Sequence, residues 1–351
     1  TDARDVRIGL RTLRFDGDTG FYLNGQAMKL KGVCVHHDAG ALGAAVPKAV
    51  WERRLRRFKA AGVNALRTAH NPPDSHLLDL CDELGLLVMD EAFDEWEGAK
   101  NKWWRGHNVY PPKRFGYAED FPQWHRADLE GMVRRDRNHP CVILWSIGNE
   151  IPETGETLGA QWGRKLAEKF RSLDHTRFIT NGINVMVSCI PYFKQIMENQ
   201  AKNGVNDIIG TSGGAADMMS VITSSPMLDP YVEESCDLLD VIGYNYSNER
   251  YEREHPLHPE WIFFGSETFS GALDKNWDTV KRNSYVLGDF CWTSMDYLGE
   301  AGCGRIAPKD QDSGAFMGDY PWLASADGDF DLTGFRRPMS YWREIIWGGR
   351  E

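Results

Sequence analysis

A chain of 351 residues with 42% hydrophobic content can bury one large core, enough for a single barrel or two modest domains. Its formal charge of −11, with no Lys/Arg run to offset the acidic side chains, repels phosphate backbones and anionic lipid heads, so nucleic acid and membrane surfaces are excluded as partners. No stretch approaches the roughly 20 apolar residues of a membrane span, and the opening TDARDVRIGL is too polar for a signal peptide; the expectation is a soluble protein, with a bacterial-type cytoplasm and a periplasm both open.

In chain order, residues 1–24 come first. There GLRTLRFDGDTGFYLNG sets Gly and Asp turn signals between short alternating runs, which reads as a β-ribbon leading into the next domain. From residue 25 to 351, short apolar runs alternate with amphipathic segments, the rhythm of βαβ units and a parallel sheet. The candidate strands are Leu30–His36, Val63–Thr68, Leu86–Asp90, Val142–Ile147, Arg177–Thr180, Asp240–Tyr244, Ile262–Gly265 and Val286–Trp292. Eight strands are what a closed (β/α)8 TIM barrel requires, and that is the predicted α/β fold.

Between the strands, Trp51, Leu55, Phe58 and Ala61 recur at helical spacing, as do Leu77, Leu80, Cys81 and Leu84, and Trp162, Leu166, Phe170 and Leu173. Phe335, Met339, Trp342 and Ile345–Ile346 suggest a closing eighth helix with Pro338 in its first turn. The segments Asp94–Phe121, Asn184–Leu239 and Gly299–Leu332 lack clean periodicity and read as long loops. The seven cysteines stand singly, with no C-x-x-C, which argues for reduced, buried thiols and against a disulfide framework or a zinc cluster. The 13 Trp, 12 Tyr and 16 Phe exceed what a core of this size needs, so some are expected to line a cleft for sugar faces.

The chemistry concentrates at two strand ends. Val142-Ile-Leu-Trp-Ser-Ile-Gly-Asn-Glu150 is a buried-strand pattern that stops in Asn149 and Glu150, and Trp261-Ile-Phe-Phe-Gly-Ser-Glu267 repeats the design. Carboxyl ends of barrel strands open onto the active-site face. An unused Asn–Glu pair there would be costly to bury. Two facing carboxylates are what glycoside hydrolysis requires, one to protonate the leaving oxygen and one to attack or to activate water; salt bridges to loop arginines are the plainer alternative.

These residues resemble the catalytic domain of glycoside hydrolase family 2, the β-galactosidase and β-glucuronidase family. The resemblance rests on ordered motifs across nearly the whole chain: Phe21-Tyr-Leu-Asn-Gly25 before Leu30-Lys-Gly-Val33, Asn64-Ala-Leu-Arg-Thr-Ala-His-Asn-Pro72, Leu87-Val-Met-Asp-Glu-Ala92, and Arg135-Asp-Arg-Asn-His-Pro-Cys-Val-Ile-Leu-Trp-Ser-Ile-Gly-Asn-Glu150. It implies an exo-acting enzyme that retains anomeric configuration, with Glu150 as acid/base and Glu267 as nucleophile. It further implies that Asn149 bonds the sugar 2-hydroxyl, Arg67 keeps the nucleophile ionised, Tyr246 orients it, and His70 and Trp292 line the pocket. Arg67 pairing only with Asp90 or Glu91, Tyr244 facing the mouth in place of Tyr246, and a core Trp292 are the competing readings.

Within His36-His37-Asp38, adjacent histidines on a strand face opposite sides, so a shared metal is not expected; one His or Asp38 reaches the sugar or buttresses the cleft. No cofactor is implied, and the magnesium-binding pair of some family members has no match in Asp94-Glu-Trp-Glu97. An Asn-x-Lys motif of the kind glucuronidases carry is absent between Trp292 and Leu332, whereas Gly265-Ser-Glu-Thr-Phe269 and the tail Gly334–Arg343 look like the β-galactosidase branch. Mannosidase and glucuronidase stay open as alternatives. The resemblance also implies that residues 1–24 end a preceding β-domain, with upstream jelly-roll and immunoglobulin-like domains, and a homo-oligomer, as the context of the catalytic barrel. Two other classes compete. Gly210-Thr-Ser-Gly-Gly214 matches the G-x-S-x-G elbow of a serine esterase, with Ser212 as nucleophile and His255 or His258 as base, and a carbohydrate-binding barrel would keep the aromatics but lose a catalytic group.

Overall fold

The structure, a computed structural model, describes residues 2–3, 8–100, 116–192, 222–299, 302–305 and 322–348. It opens with an antiparallel ribbon of three strands, β1 (Leu13–Asp16), β2 (Gly20–Leu23) and β3 (Gln26–Met28). Asn24 and Gly25, both at positive φ, make the two-residue turn between β2 and β3, the backbone that Asn-Gly adopts most readily in a hairpin.

Eight parallel strands then close a barrel: β4 (Leu30–His36), β5 (Ala65–Ala69), β6 (Leu87–Glu91), β7 (Val142–Asn149), β8 (Phe178–Ile183), β9 (Ile242–Asn245), β10 (Phe263–Phe269) and β11 (Val286–Trp292). All eight expected strands are present, and the chain is a TIM barrel. The seventh runs to Phe269, past the predicted end at Gly265. Its polar Ser266, Glu267 and Thr268 are buried because the barrel mouth supplies their partners.

Outside lie α1 (Lys48–Ala60), α2 (Ser75–Leu84), α3 (Phe121–Asp136), α4 (Thr157–Leu173), α5 (Val185–Cys189), α6 (Asp229–Cys236), α7 (Arg250–Glu254), α8 (Leu273–Arg282) and α9 (Pro338–Ile346). The short helices α5 and α6 correct the loop expected over Asn184–Leu239; α6 presses only Val232, Ser235 and Cys236 inward, too few apolar positions for a readable stripe. The closing helix α9 exists, with Pro338 in its first turn, but only part of the expected stripe faces inward, Ile346 packing against the core. Phe335, Trp342 and Ile345 are exposed, whereas Ser340, Arg343 and Glu344 are buried. The Arg343 guanidinium reaches Asp329 at 3.0 Å and so turns that face inward.

Two cores result. One sits between strands and helices, around Trp51, Phe58, Trp96, Trp145 and Phe170. The other fills the barrel interior with Leu30, Cys34, Met89, Ile143, Phe264 and Phe290, and includes Phe15 and Phe21 of the ribbon. Phe15 lies 4.6 Å from Phe21 and 4.4 Å from Phe178, centroid to centroid. The ribbon therefore plugs the amino-terminal end of the barrel and leaves the carboxyl-terminal mouth for polar groups. All seven cysteines are free and buried. Among the described residues no helix is long and apolar enough to cross a membrane.

Candidate active site

Arg67, in the middle of β5, points inward and is fully buried. A buried guanidinium must have its fixed fork of donors satisfied, and the strand ends around it do this. Its Nε and Nη2 donate to Glu91 Oε2 on β6 at 3.0 and 2.8 Å, Nη1 donates to Glu267 Oε2 at 2.7 Å, and Nη2 also donates to Asn149 Oδ1 at 2.7 Å. Space for it comes from β8, where a Cβ on Gly182 would stand 2.6 Å from Arg67 Nη2. Burial opposes the Arg67 charge, but Glu91 and Glu267 hold it well above its ordinary range. Burial alone would raise the Glu91 carboxyl; Arg67, His70 and the Ser146 hydroxyl outweigh it and keep Glu91 below the usual carboxylate range.

Glu267 receives that guanidinium on Oε2, and Tyr246 OH donates to its Oε1 at 2.5 Å. Burial, and then the charge of Glu150, push the Glu267 carboxyl up to about 7 against the pull of Arg67, His70 and Tyr246. The Tyr246 phenol is itself raised well above its ordinary value by burial and by the two glutamates, so it stays a donor. The end of the strand decides between the two tyrosines: Tyr244, within β9, is fully buried on the outer face and donates to Glu254 at 2.8 Å, whereas Tyr246 lies one residue past the strand, where a φ of +57° turns it toward the mouth.

Glu150 is the first residue beyond β7. Its φ of +45°, a region costly to non-glycine residues and frequent at functional sites, turns the chain as its amide donates to Gly182 O at 2.7 Å. Asn184 Nδ2 and Asn245 Nδ2 donate to Glu150 Oε1 at 2.8 and 3.2 Å. The same Asn245 Nδ2 lies 3.3 Å from Glu267 Oε2. Glu150 Oε1 and Glu267 Oε2 are thus no farther apart than these two Asn245 distances together, 6.5 Å.

The remaining expected residues fall around this centre. Asn149 Oδ1 accepts from Arg67 and from Asn245 at 3.0 Å, and its Nδ2 donates to Asp94 at 3.0 Å. His70 Nδ1 lies 2.8 Å from Glu91 Oε1, with Nε2 4.0 Å from Glu267 Oε2. Trp292 stacks on His70 at 5.3 Å, only 3° from parallel, while its Nε1 donates to Asp327 at 3.0 Å. Asp38 spends its carboxylate on backbone amides, Gly40 at 3.0 Å and Leu298 at 3.2 Å, so it clamps the β4 loop to the segment after β11.

Glu91 was foreseen as a partner of Arg67 only in the competing reading, and Arg67 in fact holds Glu91 and Glu267 together; two residues that complete the centre escaped the sequence reading, Asn245 as the bridge between the carboxylates and Asn184 as a partner of Glu150. Each ends or follows a barrel strand, and that position was the available signal. Ser212 of the esterase reading lies outside the described residues. His255 and His258 are stacked on Tyr285 and Trp261, at 3.6 and 3.8 Å. Asp82, His139 and Cys141 could together reach a metal ion, their ligand atoms lying within 4.8 Å of one another. They already satisfy each other at the amino-terminal side of β7: His139 Nδ1 is 2.7 Å from Asp82, and Cys141 N donates to Asp82 at 2.8 Å.

Residues 17–296 match the family model described as "Glycosyl hydrolases family 2, TIM barrel domain". A β-galactosidase of Bacteroides ovatus is 30% identical over 410 residues, covering 100% of this chain and 42% of that protein. A β-glucuronidase of Mus musculus is 26% identical over 304 residues, covering 85% of this chain and 43% of its own length. Among solved structures, a glycosyl hydrolase family 2 member from Bacteroides cellulosilyticus superposes with a TM-score of 0.75 at 38% identity, covering 97% of this chain and 36% of that one. The chain spans less than half the length of these relatives. On its sequence and its barrel together, the chain belongs to glycosyl hydrolases family 2, as the TIM barrel domain of that family.

Proposed function

We propose that the chain is the catalytic barrel of a retaining, exo-acting β-glycosidase that removes terminal β-D-hexosyl residues, β-galactosides first among them, by double displacement. The observation that carries the reading is the carboxylate pair, whose Asn245-bridged oxygens lie within 6.5 Å. Direct attack needs carboxyl groups about 5–5.5 Å apart, a spacing that this upper bound admits, whereas a pair that holds a water between them needs about 6.5–9.5 Å.

Their surroundings divide the roles. Glu267, fixed at both oxygens by Arg67 and Tyr246, is the nucleophile: it attacks the anomeric carbon while Glu150 gives its proton to the departing glycosidic oxygen. Glu150, held through Oε1 alone among the described residues, then takes a proton from water, which attacks the same carbon and frees Glu267. Arg67 keeps Glu267 anionic, and Asn149 meets the sugar 2-hydroxyl through Nδ2. His70 and the Trp292 indole line the glycone pocket, and Asp38 buttresses it. The greater length of the relatives supports further domains beside the barrel in a full-length protein, which we read as jelly-roll and immunoglobulin-like domains before it.

Relatives named β-glucuronidases keep that sugar as a second reading, and aryl β-galactoside, β-mannoside and β-glucuronide assayed side by side separate the two. The galactoside is expected to turn over fastest, with the β-anomer as first product by NMR; an inverted first product overturns the mechanism. For a substrate whose leaving group needs no proton, Glu150→Ala is expected to regain turnover with added azide. Glu267→Ala should lose 10³-fold or more, roughly, for good and poor leaving groups alike. Azide rescue of Glu267→Ala with a retained β-glycosyl azide would exchange the roles.

A further inference from the structure

One carboxylate beside the catalytic centre has no part in the mechanism above. Asp94 lies three residues beyond β6, and its Oδ1 accepts from Asn149 Nδ2 at 3.0 Å and from Lys100 Nζ at 2.6 Å. The Asp94 and Lys100 side chains are 25% and 17% exposed, so water screens this ion pair only in part.

The segment that carries Asp94 is fastened to the end of β7 at three points. Asn149 N donates to Phe93 O at 3.0 Å, Asn149 Nδ2 donates to Asp94, and the buried Trp96 donates through Nε1 to Ile147 O at 3.0 Å. Glu95, also buried, accepts from the Lys100 amide at 2.9 Å and from the Ala118 amide at 3.1 Å. That fixes the backbone from which Lys100 reaches back to Asp94.

The hydrogen bonds of Asn149 show what Asp94 adds. An Asn amide offers two lone pairs on oxygen and two hydrogens on nitrogen. Arg67 and Asn245 donate to Asn149 Oδ1, and Asp94 takes one hydrogen of Nδ2, which leaves one N–H for the sugar 2-hydroxyl. The terminal torsion of Asn is broad by itself. Donors on the oxygen alone leave the plane of the amide free to tilt, whereas an acceptor on the nitrogen holds it by both ends and gives the remaining N–H one direction.

We infer that Asp94 is a positioning residue for the 2-hydroxyl contact: it acts through Asn149, and Lys100 holds it in place. The inference rests on the proposed glycosidase activity and deepens it, since it commits the enzyme to hexosides with a free 2-hydroxyl. The test pairs loss of the carboxylate with loss of that hydroxyl. Aryl β-galactoside and its 2-deoxy and 6-deoxy analogues are assayed with wild type, Asp94→Ala, Asp94→Asn and Lys100→Met. In Asp94→Ala, kcat/KM is expected to fall roughly tenfold or more for the parent and for the 6-deoxy glycoside, chiefly in kcat, because the contact strengthens in the transition state. The 2-deoxy glycoside, which already lacks the group that Asn149 meets, should lose less than threefold. Asp94→Asn, which keeps an oxygen for Asn149, and Lys100→Met should show the same pattern with smaller losses; they decide the matter if Asp94→Ala does not fold. Equal losses on all three glycosides would reduce Asp94 to a structural support, and a tenfold loss on the 2-deoxy glycoside would mean that it acts elsewhere than through Asn149; either result overturns the inference. If the wild type hydrolyses none of the three, the glycosidase reading fails on its own. Calorimetric titration of galactose and 2-deoxygalactose then decides for Asp94: the wild type should prefer galactose threefold or more and Asp94→Ala should bind the two equally, whereas an unchanged preference refutes the positioning role.

Discussion

Glu267 carries two conflicting demands. A nucleophile must be ionised, yet burial and the neighbouring Glu150 charge push this carboxyl up to about 7. For an activated aryl glycoside that needs no proton from Glu150, kcat/KM is therefore expected to rise with pH until about 7 and then level. Glu150→Gln removes the like charge, so the rising limb should move to lower pH in that variant; a limb that stays in place would leave burial as its whole cause. The same shift bears on stability. An acid whose folded pKa lies above its unfolded value binds more protons when folded, so its contribution to stability declines as pH climbs from the unfolded value through the folded one. Between pH 4.5 and about 7, wild type should accordingly lose stability relative to Glu267→Gln, by up to roughly 3 kcal/mol. Denaturant midpoints of the two proteins at pH 5 and pH 8 check it, and an unchanged difference would count against the raised pKa.

At the scale of strands, what was legible in the sequence is what repeats. Apolar runs of four to eight residues with turn signals between them predict the barrel, and a carboxylate ending such a run predicts Glu150 and Glu267 at the mouth. Asn245 and Asn184 were not legible, because a single Asn after an apolar run is also an ordinary turn residue; only closure of the barrel brings Asn245 beside both glutamates. The facing of α9 was hidden for a related reason. Its pattern of Met339, Trp342 and Ile345–Ile346 mimics a full core stripe, but Trp342 and Ile345 are exposed and the Arg343–Asp329 pair turns a polar face inward beside Ile346. Gly182 shows how one strand serves another: its missing Cβ is the space that Arg67 occupies. Gly182→Ala places a methyl 2.6 Å from a guanidinium locked by two carboxylates, so Arg67 must shift and Glu267 loses its positioning. An activity loss of about 10²-fold is expected, since small misplacements of reacting groups carry costs of that order. The strand's neighbour offers the control: Ile183→Val trims a buried outward-facing side chain and should cost only about 0.5–1.5 kcal/mol of stability with kcat nearly unchanged. Equal activity losses in the two variants would mean that Gly182 acts through general packing and not through Arg67.

For the molecule as a whole, the two ends of the barrel have opposite chemistry, and each depends on the other. The mouth concentrates Arg67, Glu91, Glu150 and Glu267 in a small buried volume, an arrangement whose desolvation is costly, so the opposite end must supply apolar burial. Leu30, Phe264 and Phe290 do so from inside, and the ribbon closes the layer with Phe15 and Phe21. Phe21 is 1% exposed although it precedes the first barrel strand, which makes the ribbon part of the folding unit of the barrel. Phe21→Ala is thus expected to cost about 3–5 kcal/mol, as for other large core truncations, and to lower the midpoint of a single cooperative transition. Leu10→Ala, at a residue 91% exposed in the same leading segment, should shift that midpoint by less than about 0.5 kcal/mol. Activity measured below the transition should be nearly equal in both variants, because Phe15 and Phe21 lie at the end of the barrel opposite the mouth. Two separate transitions in Phe21→Ala, with the barrel midpoint unmoved, would show instead that the ribbon folds on its own and merely rests against the barrel.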